Sequence, residues 1–216
     1  MKRLFGVLLA MILFCAALQA ETVAVDFTLY PGNLAFDNSI YALGFEFTVS
    51  ASAISVTELG VLDLRRDGFQ QDQMVGLWDA NGNLLASTAI TNADPLQYLS
   101  TADDDTSIAG FRFHAITPVM LFGGQSYRVA SQGGEGWVTD VIDPVFGSGI
   151  TYVQDRWELT GSDALPLIFP QQTEAGAAGV SYFGANLIYD AVPEPTTYVL
   201  LGSGLLILML FRRHAH

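Results

Sequence analysis

Few residues in this chain have the types and spacing that catalysis requires. His114 is the only histidine between residues 21 and 192, and it shares the polar face of an alternating segment with Arg112. A Ser-His-Asp hydrolase presents a nucleophile beside its histidine, but neither Ser126 nor Ser131 lies in a nucleophile-elbow sequence. Glycosidases need a positioned pair of carboxylates, and no pair stands out from the spacing of the acidic residues. We therefore expect no catalytic residue and no enzymatic activity. The alternative is a secreted hydrolase whose site is assembled only in space.

Hard oxygen ligands for Ca2+ occur at two places in the sequence. Asp103, Asp104 and Asp105 form an acidic run, which is usually solvated but can also bind a hard cation. The segment 79–83 resembles the start of a calcium-binding loop, yet twelve-residue spacing places Ile90 where an acidic ligand is needed. That segment therefore predicts a hairpin turn. We expect no cofactor, with Ca2+ at the aspartate run as the alternative.

Aromatic residues offer a different chemistry, because the faces of their rings can stack against sugars. Trp137 and Trp157 lie in the less regular stretch 133–178 and are the candidates for ligand stacking. Exposure of both on one face is what a carbohydrate-binding module requires, although alternation around Trp157 favours its burial. In the same stretch, the apolar loop 166–170 is bracketed by prolines, and we expect it to cover an open end of the fold or to form a contact surface.

The charge of the chain limits its partners. Residues 21–192 contain 5 Arg and no Lys against 21 Asp and Glu, a net charge of −16. Nucleic acid and anionic membrane surfaces are excluded as partners, because both repel such a domain. The acidic composition favours solubility. As partners it favours divalent cations or a neutral polysaccharide.

The N-terminus predicts export. Lys2 and Arg3 precede an apolar stretch, 4–18, that ends near Ala20, which is the pattern of a signal peptide. We predict a signal peptide over residues 1–20, recognised by the Sec translocon, with cleavage after Ala17 as the alternative. The only cysteine of the chain lies within this segment, so the mature domain is expected to hold together without disulfides.

The C-terminal region predicts a short membrane helix. Residues 196–211 are uncharged and mostly apolar, and a helix of that length reaches only about 24 Å, against a hydrocarbon core of roughly 30 Å. Arg212 and Arg213 follow as a stop-transfer signal that places the C-terminus in the cytoplasm. Pro193 and Pro195 keep the preceding backbone extended, where a protease can bind it. From these residues alone, a plain single-span anchor is an equal alternative.

The order of these parts is also that of a known signal. Pro193, Glu194 and Pro195, followed by a short apolar helix and an arginine pair, resemble the PEP-CTERM sorting signal of Gram-negative bacteria. The resemblance implies that residues 192–216 are the sorting signal and that the three residues are its recognition element. It implies as partner an exosortase, a membrane-embedded cysteine transpeptidase. The tail would hold the chain in the inner membrane before release to the cell surface or extracellular matrix.

Between the two targeting segments the hydrophobic period is two, which is typical of strands. Before residue 196 no window of a dozen residues has a helical stripe, and glycine-rich and asparagine-rich turns separate the alternating segments. We therefore predict one all-β domain over residues 21–191, an antiparallel β-sandwich or jelly roll. The expected strands lie near 23–29, 41–49, 54–64, 74–79, 84–90, 108–116, 126–131, 150–159 and 180–190.

A second resemblance covers residues 41–130. The patterns at 43–49, 75–79 and 111–113 are similar to an uncharacterised β-sandwich module of exported bacterial proteins that carry the same tail. That module has no assigned activity, so the resemblance implies only a fold.

Together these features predict an exported, exosortase-sorted protein of the cell envelope or exopolysaccharide matrix, with a non-catalytic structural or binding domain. A carbohydrate-binding module and a secreted hydrolase are the alternatives. An ice-binding role would need a regular threonine repeat, which the sequence lacks.

Overall fold

The computed structural model describes residues 21–28, 41–50, 52–64, 66–97, 110–132, 138, 142–160, 167–174 and 182–192. Within these ranges the chain forms strands, turns and loops, and the paired strands are antiparallel. The predicted all-β class and antiparallel pairing are therefore confirmed. The strands are β1 (Thr22–Val23), β2 (Val25–Thr28), β3 (Tyr41–Val49), β4 (Ile54–Asp63), β5 (Gln73–Asp79), β6 (Leu84–Ile90), β7 (Leu96–Gln97), β8 (Gly110–Leu121), β9 (Ser126–Gln132), β10 (Ile142–Phe146), β11 (Ile150–Leu159) and β12 (Ala185–Ala191).

These strands form two five-stranded sheets and one ribbon. Sheet 1 has the order β1-β12-β4-β8-β7, and sheet 2 has the order β11-β3-β9-β5-β6. The ribbon pairs β10 with β2. Strands that are distant in sequence are thus neighbours in both sheets, as β12 and β4 are in sheet 1.

One apolar core lies between the sheets, and aromatic rings connect them. Phe111 of sheet 1 meets Phe27 of the ribbon edge to face, with ring centroids 5.8 Å apart. Phe27 contacts Phe183 at 5.6 Å, and Phe183 contacts Phe45 of sheet 2 at 5.8 Å. All four residues are buried. The arrangement is therefore β-sandwich-like, with the alternating apolar positions of each strand facing the shared core.

A buried asparagine fastens the ribbon to sheet 1. Asn186 of β12 is fully buried, and its side-chain oxygen accepts a hydrogen bond from the Val25 backbone N–H at 3.2 Å. Its amide nitrogen donates to the Val25 carbonyl at 2.7 Å. A single side chain thus satisfies both polar backbone groups of a buried ribbon residue.

Strand β8 continues beyond its predicted end at residue 116 and includes a proline. Its register against β4 is irregular between the pairs Val56–Val119 and Glu58–Ala115. Thr57 therefore lies opposite the three residues 116–118, which end at Pro118. Strand β7 pairs only with residues 111 and 112, which leaves this part of β8 at the sheet edge. A proline is tolerated in a strand at such an irregular edge position. The apolar alternation of β4 also slips between Val56 and Leu59, at the same place as this irregularity.

The calcium-like segment is a hairpin turn, as predicted. The Asp79 carboxylate accepts hydrogen bonds from the backbone N–H groups of Asn81 and Asn83, each at 2.9 Å. Gly82 has a φ of 87°, which glycine adopts at little cost. Hydrogen bonds from the Asn83 side chain and then its backbone lower the pKa of Asp79. The carboxylate therefore serves the turn that joins β5 to β6.

Several predicted features lie outside the described residues. These are the signal peptide, Trp137, the aspartate run at 103–105, and the tail from Pro193 through Arg213. In the part of the chain that the structure does describe, no helix has the length and apolarity needed to cross a membrane.

Candidate functional site

The segment 167–174, which we call the outer segment, lies against the face of sheet 2 that points away from the core. Its Phe169 ring lies 4.5 Å from the guanidinium carbon of Arg128 and 6.2 Å from the ring of Trp78. Trp78 is only 3% exposed, although its neighbour Leu77 is the residue that faces the core. The outer segment thus covers a sheet face, and not an open end of the fold.

Under the outer segment, one carboxylate is shared by two arginines. Glu46 Oε2 accepts from Arg128 Nε at 3.0 Å and from Arg156 Nε at 2.8 Å. Each arginine also donates to a carbonyl of the outer segment at 2.8 Å, Arg128 to Pro170 and Arg156 to Gln171. The three charged side chains are 11–12% exposed. This triad therefore has a local charge of +1 within a strongly acidic domain.

Strand register brings the triad together. Glu46 pairs with Arg128 across β3 and β9, and with Gln154 across β3 and β11, which places Arg156 within reach on the same face. Glu46 lies between two core phenylalanines in sequence, so alternation points it to the outer face. The triad could not be predicted from the sequence, because the polar position of each residue is visible there but their pairing is not.

Two neighbouring arginines are suited to binding a carboxylate. Here their donors are already bound to Glu46 and to two carbonyls of the outer segment. Burial lowers the pKa of Arg128, and repulsion from Arg156 lowers it further, while Glu46 acts in the opposite direction. Guanidinium groups remain charged in proteins, so the shared carboxylate and the two carbonyls compensate their desolvation. The arrangement therefore holds the outer segment in place.

Trp157, a candidate for ligand stacking, is half-buried. Its ring meets Tyr41 with centroids 5.9 Å apart at an angle of 79°. Its backbone exchanges two hydrogen bonds with Gln172 of the outer segment, at 3.0 and 2.9 Å. The indole Nε1 is buried and has no hydrogen-bond partner among the described residues. Trp137 lies outside the described residues, so a face shared by the two tryptophans, and sugar stacking on it, stay predictions.

His114 and Arg112 share a face, as the alternation predicts, and both contact Asp94. His114 Nδ1 lies 2.7 Å from Asp94 Oδ1, and Arg112 donates to the Asp94 carbonyl at 2.9 Å and to the Asp63 carboxylate at 2.7 Å. Among the described residues, no hydroxyl group hydrogen-bonds to the other ring nitrogen of His114. Within the described residues the cluster is thus a histidine–carboxylate pair beside an arginine.

Asp94 is expected to contribute pH-dependent stability. Desolvation acts to raise its pKa, but hydrogen bonds from Thr91 and His114 outweigh it, so the net pKa is lowered. A group with a depressed folded-state pKa stabilises the fold above its unfolded pKa of about 3.9, and this contribution is lost as pH falls through the folded value. Asp94→Asn should cost about 1 kcal/mol at neutral pH and much less in strong acid.

Urea denaturation at both pH values measures this difference. The matched control is Asp67→Asn, an exposed aspartate in the turn after β4, which should change stability little at either pH. Equal losses for Asp94→Asn at neutral and acid pH would contradict the assignment.

A metal ion is usually held by a group of His, Cys, Asp or Glu side chains. Among the described residues, no three such side chains are grouped to hold an ion. Since the aspartate run lies outside those residues, calcium binding there stays a prediction.

The last described strand ends next to the predicted sorting signal. Ala191, the last residue of β12, pairs with Ile54, and the Val192 N–H donates to the Ala53 carbonyl at 3.0 Å. Pro193, Glu194 and Pro195 follow directly in sequence.

Comparison with known proteins identifies this C-terminal region. A family model described as the PEP-CTERM protein-sorting motif matches residues 191–213. No curated protein and no solved structure matches the chain. The matched region includes the predicted recognition element and the arginine pair, and this motif is the recognition signal for exosortase processing. The chain is therefore a protein that carries a PEP-CTERM sorting motif at residues 191–213.

Proposed function

We propose that this protein is exported, held at the inner membrane by its tail, and cut by an exosortase near residues 193–195. The domain is then delivered to the cell surface or extracellular matrix. The match of the sorting motif to residues 191–213 carries this proposal. A protein with such a motif is exported and anchored by its C-terminal region before processing.

The position of the motif supports release of an intact domain. The last strand ends at Ala191, and the proposed recognition residues begin at Pro193. A cut at or after Pro193 therefore leaves every described strand in the released product. The removed part would be the apolar segment 196–211 and the arginines that follow it.

In the matrix, we propose a structural or binding role without catalysis. Three buried or half-buried carboxylates of the described residues have structural partners: Glu46 holds two arginines, Asp63 binds Arg112, and Asp94 binds His114. The acidic surface suits a hydrated, neutral polysaccharide environment better than nucleic acid or anionic lipid. Exopolysaccharide as the ligand is part of the proposal.

Processing should depend on Glu194. In a host with an exosortase, the intact mass of the wild-type chain should show loss of the tail near residues 193–195, whereas Glu194→Gln should accumulate in the inner membrane with its tail. The matched control is Asp190→Asn, a carboxylate four residues earlier and outside the matched motif, which should be processed as the wild type. Mass spectrometry of membrane and extracellular fractions measures both.

A host without the enzyme supplies the opposite control. There, all three chains should keep the tail. An unclipped wild-type chain in the inner membrane of both hosts would contradict the proposal and leave a single-span anchor.

A further inference from the structure

The chain leaves sheet 1 at an end whose geometry is set by three adjacent strands. Strand β4 lies between β12 and β8, and Ile54 pairs with Ala191 on one side and Leu121 on the other. Neighbouring strands are about 4.8 Å apart, so Leu121 lies about 10 Å from Ala191. The Val192 N–H is bonded to Ala53, which fixes the exit at this end.

Two apolar side chains are exposed beside that exit. Phe122 is 63% exposed and Met120 is 42% exposed, and their spacing of two places them on one face where β8 ends. The turn that follows is held in place, because the Phe122 N–H donates to the Tyr127 hydroxyl at 2.8 Å and the Gly124 N–H to the Val49 carbonyl at 2.9 Å. Phe122 is thus displayed by a fixed turn.

Two further turns meet this one. The Gly124 N–H also donates to the Ser50 carbonyl at 3.1 Å, and the Ser50 N–H donates to the Gly149 carbonyl at 2.8 Å. A Cβ at Gly124, whose φ is 75°, would have no atom within 4 Å, so this turn projects from the domain.

The sequence around these turns has no charge. Residues 47–57, 115–127 and 144–154 contain no Asp, Glu, Lys, Arg or His. Residues 21–192 as a whole have a net charge of −16. Acidic residues at this end lie on neighbouring strands and include Asp190 and Asp79. The exit end is therefore a largely uncharged surface on a strongly acidic domain.

The sorting tail brings this surface close to the bilayer. Only four residue steps separate Val192 from Thr196, the start of the apolar segment, and extended chain spans at most about 14 Å over that distance. The headgroup region on each side of the hydrocarbon core is roughly 5–7 Å thick. While the tail is inserted, the exit end must lie at or near the lipid headgroups.

We propose that Met120 and Phe122 insert into the lipid interface while the tail holds the unprocessed chain in the membrane; this inference rests on the proposed function. Two apolar side chains bind a membrane weakly, since even a single acyl chain gives only marginal binding. A tether makes the contact intramolecular, so a weak interaction is sufficient. Uncharged lipid suits it, because Asp190 and Asp79 repel anionic lipid. Processing then removes the tether, and the domain leaves the membrane.

Lipid quenching tests this contact in the full chain. The chain is purified from membranes of a host without an exosortase, with Cys15→Ser and a single Gln125→Cys in the exposed turn, and is labelled with an environment-sensitive fluorophore. In phosphatidylcholine vesicles containing brominated lipid, the label at 125 should be quenched several-fold more than a label at Asp67→Cys, at the opposite end of β4. Met120→Ser with Phe122→Ser should abolish that difference.

The control variant is Leu159→Ser, which changes an apolar side chain of similar exposure, 52%, at the far end of β11. It should leave the quenching unchanged. Vesicle flotation separates the outcomes: a chain that floats without selective quenching at 125 overturns the contact and leaves tail anchoring intact. A chain that does not float contradicts both the tail anchor and this inference. Selective quenching that appears only when an exosortase is added assigns the surface to the enzyme and overturns the lipid contact.

Discussion

Glu46→Gln is expected to destabilise the domain by about 3 kcal/mol, because it leaves two poorly solvated guanidinium groups without their counter-charge. Arg128 and Arg156 both bind Glu46 Oε2, and the three side chains are 11–12% exposed. A glutamine can still accept a hydrogen bond, but it cannot offset two positive charges. For a domain of this size, the melting temperature should fall by roughly 6–12 °C. Chemical and thermal denaturation measure the loss.

Two further variants separate the triad from ordinary surface charge. Glu158→Gln removes a carboxylate of β11, the edge strand of sheet 2. This carboxylate accepts a hydrogen bond from the Gln171 N–H at 3.3 Å, and its loss should cost less than about 0.5 kcal/mol. The triple change Glu46→Leu, Arg128→Met and Arg156→Leu should recover much of the stability lost in Glu46→Gln, since apolar residues can replace a buried charge cluster. If Glu46→Gln and Glu158→Gln cost the same, the triad stabilises the domain no more than an exposed hydrogen bond does.

The strands could be predicted because alternation is local. The ranges 41–49, 84–90 and 150–159 agree with β3, β6 and β11 as observed. Strand β10 was missed, since Pro144 interrupts a short segment whose partner, β2, lies more than a hundred residues earlier. Short ribbons of this kind depend on a distant partner for their formation, and a local pattern cannot supply it.

Other features could not be predicted, because they depend on contacts between residues that are distant in sequence. Glu46 lies 82 residues from Arg128 and 110 from Arg156, and nothing in the local sequence links them. Trp78 is buried, and the residue that covers it is Phe169 of the outer segment, which is distant in sequence. The sorting motif, in contrast, was identified from sequence, because its recognition residues, apolar segment and arginines are contiguous. A ligand site assembled from several strands has no such local pattern.

Asn186→Leu should cost about 3 kcal/mol, because it leaves the backbone N–H and carbonyl of Val25 buried without their partners. Asn186 is fully buried and makes both bonds, at 3.2 and 2.7 Å. Leucine keeps the branching of asparagine but is larger, so the expected loss includes a packing cost beside that of the hydrogen bonds. Urea denaturation measures the loss, with Asn81→Leu in the exposed β5–β6 turn as the control, expected to change stability by less than about 0.5 kcal/mol.

Hydrogen exchange locates the effect of Asn186→Leu. If Asn186 fastens the ribbon to sheet 1, amide protection should fall first in β2 and β10, while β3 and β9 in sheet 2 keep theirs. Equal loss of protection in all strands would mean that Asn186 stabilises the core as a whole and not the ribbon. The ribbon carries Phe27, which joins Phe111 of sheet 1 to Phe183 near sheet 2. Weakening its attachment should therefore loosen the contact between the two sheets before either sheet unfolds.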